Sequence, residues 1–148
     1  MGEFVTQLPK NIIPLALQVA AQQREYIELR QQAQTADRTV ERSFLHVLDS
    51  CEAMMATLQW LNTQQYTCQA FNIAGPSISI RALLTQISTV TQTEIKTIEA
   101  PFYAYPELDQ LGAITDKAQQ LLKWQASRDL NKIIEDAWRF YQNTLQRH

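Results

Sequence analysis

The sequence predicts an all-α protein: a helical bundle in which one long N-terminal helix is followed by three shorter helices. Gly and Pro are scarce, with three and five copies among 148 residues. The 60 residues between Pro14 and Gly75 contain neither. Within that stretch apolar residues recur at alternating steps of three and four, which places them along one face of a helix.

The long helix carries two apolar stripes of different width. A thin stripe, Leu15, Val19, Tyr26 and Leu29, lies upstream of residues 35–39, where two consecutive steps of four occur and the helix can break. The sequence leaves open one long helix or two nearly collinear ones. We predict a single domain, 1–148, with a helical arm at about 12–38 and a bundle at about 39–148. The wider, bundle-facing stripe comprises Val40, Phe44, Val47, Cys51, Met54, Leu58 and Leu61.

The helix starts are indicated by capping residues. Asn11 is the predicted N-cap of the first helix, because Pro14 is tolerated in a first turn. Ser77 or Ser79 caps a helix that ends near residues 91–93, and Ser127 or Asp129 caps the last helix.

Two further segments are less regular. Residues 94–99 alternate between polar and apolar, so an extended piece is possible there. A third helix is predicted from Pro106 to Leu122, although Gly112 lies inside it.

Charge and composition argue against several classes of protein. The net charge is −2 and no Lys/Arg cluster is present, so neither nucleic acid nor an anionic membrane is an expected partner. No apolar run approaches the roughly 18 residues of a membrane-spanning helix, and no secretory signal is evident. The two cysteines form no recognisable motif. These features predict a cytoplasmic location.

Residues with catalytic or metal-binding chemistry are few. His46, Asp49 and Glu52 can share one helix face, but a metal site needs more ligands, so we expect a solvent-facing or rim histidine. Cys51 is predicted to be a buried small hydrophobe rather than a nucleophile. Three scattered glycines cannot build a phosphate loop. The sequence therefore predicts no catalytic residue, no metal and no cofactor. The tryptophans are expected to be core anchors: Trp60, Trp124 and Trp138.

An aromatic segment between two prolines is the other candidate site. Its side chains can either pack down as a plug or form a contact surface for a partner. Together with the thin stripe, it gives the predicted partner-binding residues: Leu15, Val19, Tyr26, Leu29, Phe102, Tyr103 and Tyr105.

Two segments resemble the GrpE family of co-chaperones. Residues 45–52, Leu-His-Val-Leu-Asp-Ser-Cys-Glu, are similar to its L-x-V-L-D-x-x-E stretch, and Leu83-Leu84 opens a helix followed by residues 94–99, Phe102 and Pro106. The resemblance implies a homodimer with a four-helix bundle that binds a DnaK-type ATPase domain and releases ADP. The family's C-terminal β-domain motif is absent from residues 107–148.

The functional prediction is a non-enzymatic interaction or assembly protein, an adaptor that acts through helical surfaces as a homodimer. One alternative is a GrpE-like co-chaperone that exchanges nucleotide on a DnaK-type chaperone. A second alternative is a helical bundle that binds a small molecule, with Trp60, Tyr103 or Trp138 lining the pocket.

Overall fold

The computed structural model describes residues 11–30, 41–65, 68–100 and 110–146, and it shows a mixed α/β fold. Four α-helices alternate with short strands in the described chain. The helices are α1 (Ile12–Ala20), α2 (Val47–Leu61), α3 (Ile80–Thr91) and α4 (Leu130–Leu145), and a short π-helical turn covers Ala118–Leu122. The strands are β1 (Ile27–Arg30), β2 (Glu41–Ser43), β3 (Ser77–Ser79), β4 (Thr97–Ala100) and β5 (Gln110–Leu111).

The described strands form two small sheets. β1 and β4 pair in parallel, with Ile27 opposite Thr97. In the second sheet β2 is the middle strand, antiparallel to β3 and parallel to β5. Both sheets join segments that are far apart in sequence, so local propensity alone does not determine them.

The loop before β3 lies directly against β2. The backbone N–H of Phe44 donates to the carbonyl oxygen of Pro76 at 3.0 Å, and the Ser43 hydroxyl donates to that of Gly75 at 2.8 Å. A Cβ atom at position 75 would lie 1.9 Å from the Phe44 carbonyl oxygen, so only glycine permits this approach.

Among the described residues, two apolar clusters form the core. The larger one joins α1, β1, α3 and α4, and its fully buried members include Ile27, Leu83, Ile87 and Ile134. The smaller one lies between α2 and the π-helical turn and contains Ala53, Ala118, Leu122 and Trp124. Trp60 packs on the smaller cluster, edge-on to Phe71 with the ring centroids 5.2 Å apart.

The all-α prediction is wrong, and Gln22 shows why. α1 ends at Ala20, and Gln22 then adopts a left-handed backbone with φ of 59°. The next segment is β1, where Ile27 is buried and Glu28 is exposed. The predicted helical stripe contains Tyr26 and Leu29 but not Ile27, which is the buried residue of this segment. Pairing with β4 favours an extended backbone for the segment instead. The predicted single long helix therefore does not exist, although residues 31–40 lie outside the described residues.

The wide stripe is also interrupted. Phe44 belongs to the extended segment after β2, and α2 begins only at Val47. Cys51 is exposed rather than buried, so its predicted core role is wrong. The prediction of a single domain is not tested and stays a prediction, but the helical arm assigned to it ends at Ala20.

Several local predictions are confirmed. α1 starts directly after Asn11, and Ser79 caps α3 by accepting a hydrogen bond from the Ala82 N–H. Asp129 caps α4 in the same way through the Lys132 N–H. The alternating segment at 94–99 contains the start of β4.

The predicted third helix is only partly correct. Among the described residues of 106–122, Gln110–Leu111 form β5 and residues 112–115 are not helical, whereas residues 116–122 are helical and end in the π-helical turn. Lys123 follows that turn with a left-handed backbone. Among the described helices, none is long and apolar enough to cross a membrane.

Candidate functional site

A buried charge network connects the start of α2 to the segment that precedes α4. We call it the polar clamp: His46, Asp49, Glu52, Ser127 and Arg128. Asp49 lies at its centre, in the first turn of α2, and its side chain has no exposed surface. A buried carboxylate is tolerated only when its oxygens accept several hydrogen bonds.

The Asp49 carboxylate has several hydrogen-bond donors around it. Its carboxylate accepts from the Ser127 hydroxyl at 3.1 Å and the Arg128 backbone N–H at 3.2 Å, and it forms an ion pair with the Arg128 guanidinium. That guanidinium uses its second nitrogen, Nη2, to donate to Glu52 at 2.8 Å. One arginine therefore bridges two carboxylates on successive turns of α2.

Hydrogen bonding sets the protonation of this network. Burial alone would raise the pKa of Asp49, but hydrogen bonds from Arg128 and Ser127 outweigh burial and hold that pKa below its usual value. The hydrogen bond from Arg128 likewise lowers the pKa of Glu52. The two carboxylates raise the pKa of Arg128. Asp49, Glu52 and Arg128 are therefore ionised at neutral pH.

His46 extends the clamp to α4. It is the N-cap of α2, and its Nδ1 accepts the Leu48 backbone N–H at 3.1 Å. Since Nδ1 is an acceptor, Nε2 carries the hydrogen and donates to Asp136 at 3.2 Å. The Lys132 ammonium also contacts Asp136, and this hydrogen bond is the main reason that the pKa of Asp136 is lowered. His46 is buried, so the prediction of a solvent-facing histidine is wrong.

The clamp holds structure rather than performing catalysis. Each carboxylate is engaged by a cation, and Cys51 lies on the exposed side of α2, away from His46. Across the described ranges there is no group of three or more His, Cys, Asp or Glu residues that fits a metal ion. General acid–base work needs a group that exchanges protons with a substrate, and these side chains are committed to one another.

Arg42 is a cation of a different kind, because it lies on the middle strand of the three-stranded sheet. It is half-buried, and its Nη1 donates to the Glu41 carbonyl oxygen at 2.8 Å. Its neighbours across the sheet are Ile78 and Leu111. A residue carried by a strand that is paired on both sides is held more precisely than one carried by a loop. The sequence reasoning did not identify Arg42, because no basic cluster marks it.

A shallow groove of about 530 Å³ runs along the outer face of α3. Ser79, Arg81, Thr85 and Gln86 are among its lining residues. The Gln86 amide donates to Asn131 on α4 at 2.6 Å. The groove is open to solvent and lacks a buried polar group, so it offers little selectivity for a ligand.

The described members of the predicted partner-binding set do not form an exposed surface. Val19 is buried, and Leu15 and Leu29 are half-buried against the larger cluster. Tyr26 is half-buried. Phe102, Tyr103 and Tyr105 lie outside the described residues. A partner-binding role for these residues is not tested and stays a prediction.

The tryptophans behave as predicted, as anchors of the two clusters. Trp124 is buried in the smaller cluster, and Trp138 packs on the larger one while stacking with Tyr141. Trp60 and Trp138 thus belong to different clusters and do not line a common pocket.

Known proteins that resemble this chain are UDP-glucose 4-epimerases. That of Lacticaseibacillus casei is 32% identical over 136 residues, which is 90% of this chain and 40% of the relative. That of Schizosaccharomyces pombe is 28% identical over 144 residues, 96% of this chain and 40% of the relative. No protein-family model matches the sequence. The chain thus spans about two fifths of the length of these relatives.

Solved structures of UDP-glucose 4-epimerases also resemble this chain. The UDP-glucose 4-epimerase of Stenotrophomonas maltophila, bound to NAD and formylated UDP-arabinopyranose, superposes with a TM-score of 0.86 at 24% identity, over all of this chain and 44% of that one. Another UDP-glucose 4-epimerase gives a TM-score of 0.78 at 30% identity, over 93% of this chain and 42% of that one. The mixed α/β fold is therefore one found within epimerase structures.

These findings overturn three predictions. The GrpE resemblance is wrong, because it rested on short helical motifs, whereas the epimerase likeness extends over nearly the whole chain. The non-enzymatic assembly function is wrong, since the relatives are enzymes. The expected DnaK-type chaperone partner is wrong for the same reason. The predicted homodimer is not tested and stays a prediction.

NAD, which the Stenotrophomonas structure holds, does not fit the described residues of this chain. Dinucleotide binding of the common kind needs a glycine-rich turn between a parallel strand and a helix. Gly75 precedes an antiparallel strand and lies against Phe44, and Gly112 follows β5 at an exposed position. No step through NAD is therefore assigned to these residues.

Proposed function

We propose that this chain supplies the nucleotide-sugar-binding part of a UDP-glucose 4-epimerase-like enzyme. The observation that carries the proposal is the extent of the likeness, which includes 90% of this chain at 32% identity in one epimerase. Because the described residues contain no glycine-rich turn, we assign to this chain the binding of the sugar nucleotide rather than the binding of the dinucleotide. It holds the sugar nucleotide, and the dinucleotide belongs to another part of the enzyme.

Arg42 is the proposed contact for the diphosphate of the sugar nucleotide. A guanidinium donates two parallel hydrogen bonds to a phosphate, and its charge does not depend on pH in the physiological range. Arg42 combines partial burial with a position on the middle strand, which presents a fixed cation.

A cytoplasmic location belongs to the same proposal. Both cysteines, Cys51 and Cys68, are exposed and free. Exposed thiols persist where the compartment is reducing.

Calorimetric titration of the full chain with UDP-glucose tests the assignment of Arg42. Arg42→Gln should weaken binding about tenfold or more, because a charge-assisted hydrogen bond is worth about 1.5–3 kcal/mol. Arg81→Gln, which removes an exposed arginine from α3, is the matched control and should bind like the unaltered chain. Equal affinity in all three proteins would exclude Arg42 as the phosphate contact.

A further inference from the structure

α2 carries apolar side chains on a side that nothing in the described chain covers. We call this side the α2 apolar face: Val47, Cys51, Met54, Leu58 and Leu61. Val47 is 69% exposed and Met54 is 64% exposed, and the other members are exposed as well. Their spacing of four, three, four and three places them in one stripe along the helix. Leu48 and Met55, also exposed, lie beside the stripe and widen it.

The orientation of α2 is fixed by its other side. Asp49 and Ala53 are buried, and Trp60 is half-buried on the smaller cluster. These residues are offset by two positions from the exposed stripe, a rotation of about 200° at 3.6 residues per turn. The polar clamp also locks the first turns to Arg128. The helix therefore cannot rotate its apolar face inwards without breaking buried ion pairs.

The composition of the helix does not suit a solvated surface. Residues 53–61, Ala-Met-Met-Ala-Thr-Leu-Gln-Trp-Leu, contain no charged side chain. A helix with one buried side normally presents charged residues on the other. An exposed apolar stripe without charges, and with methionines at its centre, is typical of a protein interface.

The length of the relatives indicates what covers the α2 apolar face. This chain superposes in full on 44% of the Stenotrophomonas epimerase, so more than half of that enzyme lies beyond the match. We propose, on the basis of the function proposed above, that the α2 apolar face docks against the dinucleotide-binding part of the enzyme. The smaller cluster and the clamp cover the opposite side of α2, so the α2 apolar face is available for the larger part to cover.

Cys51 reports on the face directly, because it lies in the middle of the stripe and is exposed. In a Cys68→Ser background, thiol alkylation of the full chain should be fast. Adding the NAD-loaded remainder of the Stenotrophomonas epimerase, the part outside its match to this chain, should slow alkylation at least tenfold. The same protection is expected in a hybrid polypeptide in which this chain replaces the matched segment. Alkylation in the hybrid as fast as in the isolated chain would overturn the proposal.

Charge substitution separates the face from other exposed apolar residues. Met54→Glu and Leu58→Glu should each abolish the protection of Cys51 in the mixture, while leaving the circular dichroism of the isolated chain unchanged. Ile114→Glu is the control, since Ile114 is 77% exposed and lies outside α2. If the control removes protection as well, or if neither α2 variant does, docking through this face is wrong.

Two other outcomes are informative. If the isolated chain dimerises at micromolar concentration and Leu58→Glu makes it monomeric, the face is an interface between two copies and the proposal fails. Titration of the chain with UDP-glucose is independent of docking. Binding without protection of Cys51 contradicts the docking proposal alone, and protection without binding contradicts the proposed function alone.

Discussion

Asp49 is the residue on which the local architecture depends most. It is fully buried, and its carboxylate joins the first turns of α2 to Ser127 and Arg128. Removing one partner of a buried ion pair leaves the other charge uncompensated. The smaller core cluster lies against the same helix, so damage at Asp49 is expected to loosen the contact between α2 and the π-helical turn.

Asp49→Ala should lower the free energy of unfolding by about 3 kcal/mol, because Arg128 and the backbone N–H groups lose a buried acceptor. Urea denaturation monitored by tryptophan fluorescence measures this loss. Glu52→Ala is the control, since Glu52 is half-exposed and contacts the same arginine from the solvent side. A smaller effect for Asp49→Ala than for Glu52→Ala would contradict the account.

The clamp also predicts how stability depends on pH. The pKa of Asp49 in the folded chain lies below its value in the unfolded chain, about 3.9. The stabilisation is therefore complete above about pH 5 and is lost as pH falls through the lower, folded-state pKa. Urea midpoints between pH 7 and pH 2 should fall more steeply for the unaltered chain than for Asp49→Asn. Parallel profiles would show that Asp49 does not contribute.

Non-glycine residues in left-handed conformations explain why the helix ends were hard to predict. Gln22, Gln92 and Lys123 have φ between 55° and 59°, and each lies at or just after the end of a helical segment. Glycine usually fills such positions, because a side chain there costs roughly 1–2 kcal/mol. The scarcity of glycine therefore predicts one continuous N-terminal helix, whereas α1 ends just before the left-handed Gln22.

Lys123→Gly should raise the free energy of unfolding by about 1 kcal/mol, since glycine adopts the left-handed region without steric cost. Lys123→Val should lower it, because a β-branched side chain is the least suited to positive φ. Thermal melts of the two variants provide the measurement. Loss of stability in Lys123→Gly would mean that the exposed lysine side chain has a role of its own.

At the scale of elements, the close approach of β2 and the loop before β3 depends on Gly75. Gly75→Ala should destabilise the chain by about 1–3 kcal/mol, because the new Cβ meets a backbone carbonyl that cannot move aside easily. Gly112→Ala is the matched control, since nothing lies within 4 Å of a Cβ added there. Chemical denaturation of both variants should separate them clearly, and equal midpoints would show that the loop relaxes freely.

The elements that were predictable from sequence are those fixed by local signals. The caps at Ser79 and Asp129 and the apolar periodicity of α3 and α4 are readable within a few residues. The strands were not predictable in the same way. β1 and β2 each have partners at least 30 residues away, and their short runs also fit a helical pattern.

The site was harder to predict than the fold. His46, Asp49 and Glu52 were recognised as sharing a helix face, but their partner Arg128 is 76 residues beyond Glu52 and carries no local mark. Arg42 stands alone in the sequence and gains its importance from the sheet around it. Periodicity predicts a bundle core at the α2 apolar face, which is exposed in the structure, because periodicity shows that a face is apolar but not which partner covers it.

At the scale of the whole molecule, the described residues form a mixed α/β unit that contains two core clusters, the polar clamp and the exposed α2 apolar face. Its likeness to epimerases extends over nearly all of its length but only about two fifths of theirs. Under the two proposals, this chain binds the sugar nucleotide and packs against the part of the enzyme that binds the dinucleotide.

Heteronuclear NMR titration of the full chain with UDP-glucose tests the central claim most directly. The account predicts saturable shifts in residues of β2, β3 and β5, reproduced by UDP and absent with glucose, because the diphosphate provides the charge that Arg42 contacts. Absence of saturable shifts with UDP-glucose, or equal shifts with glucose alone, would contradict the proposal that this chain binds the sugar nucleotide.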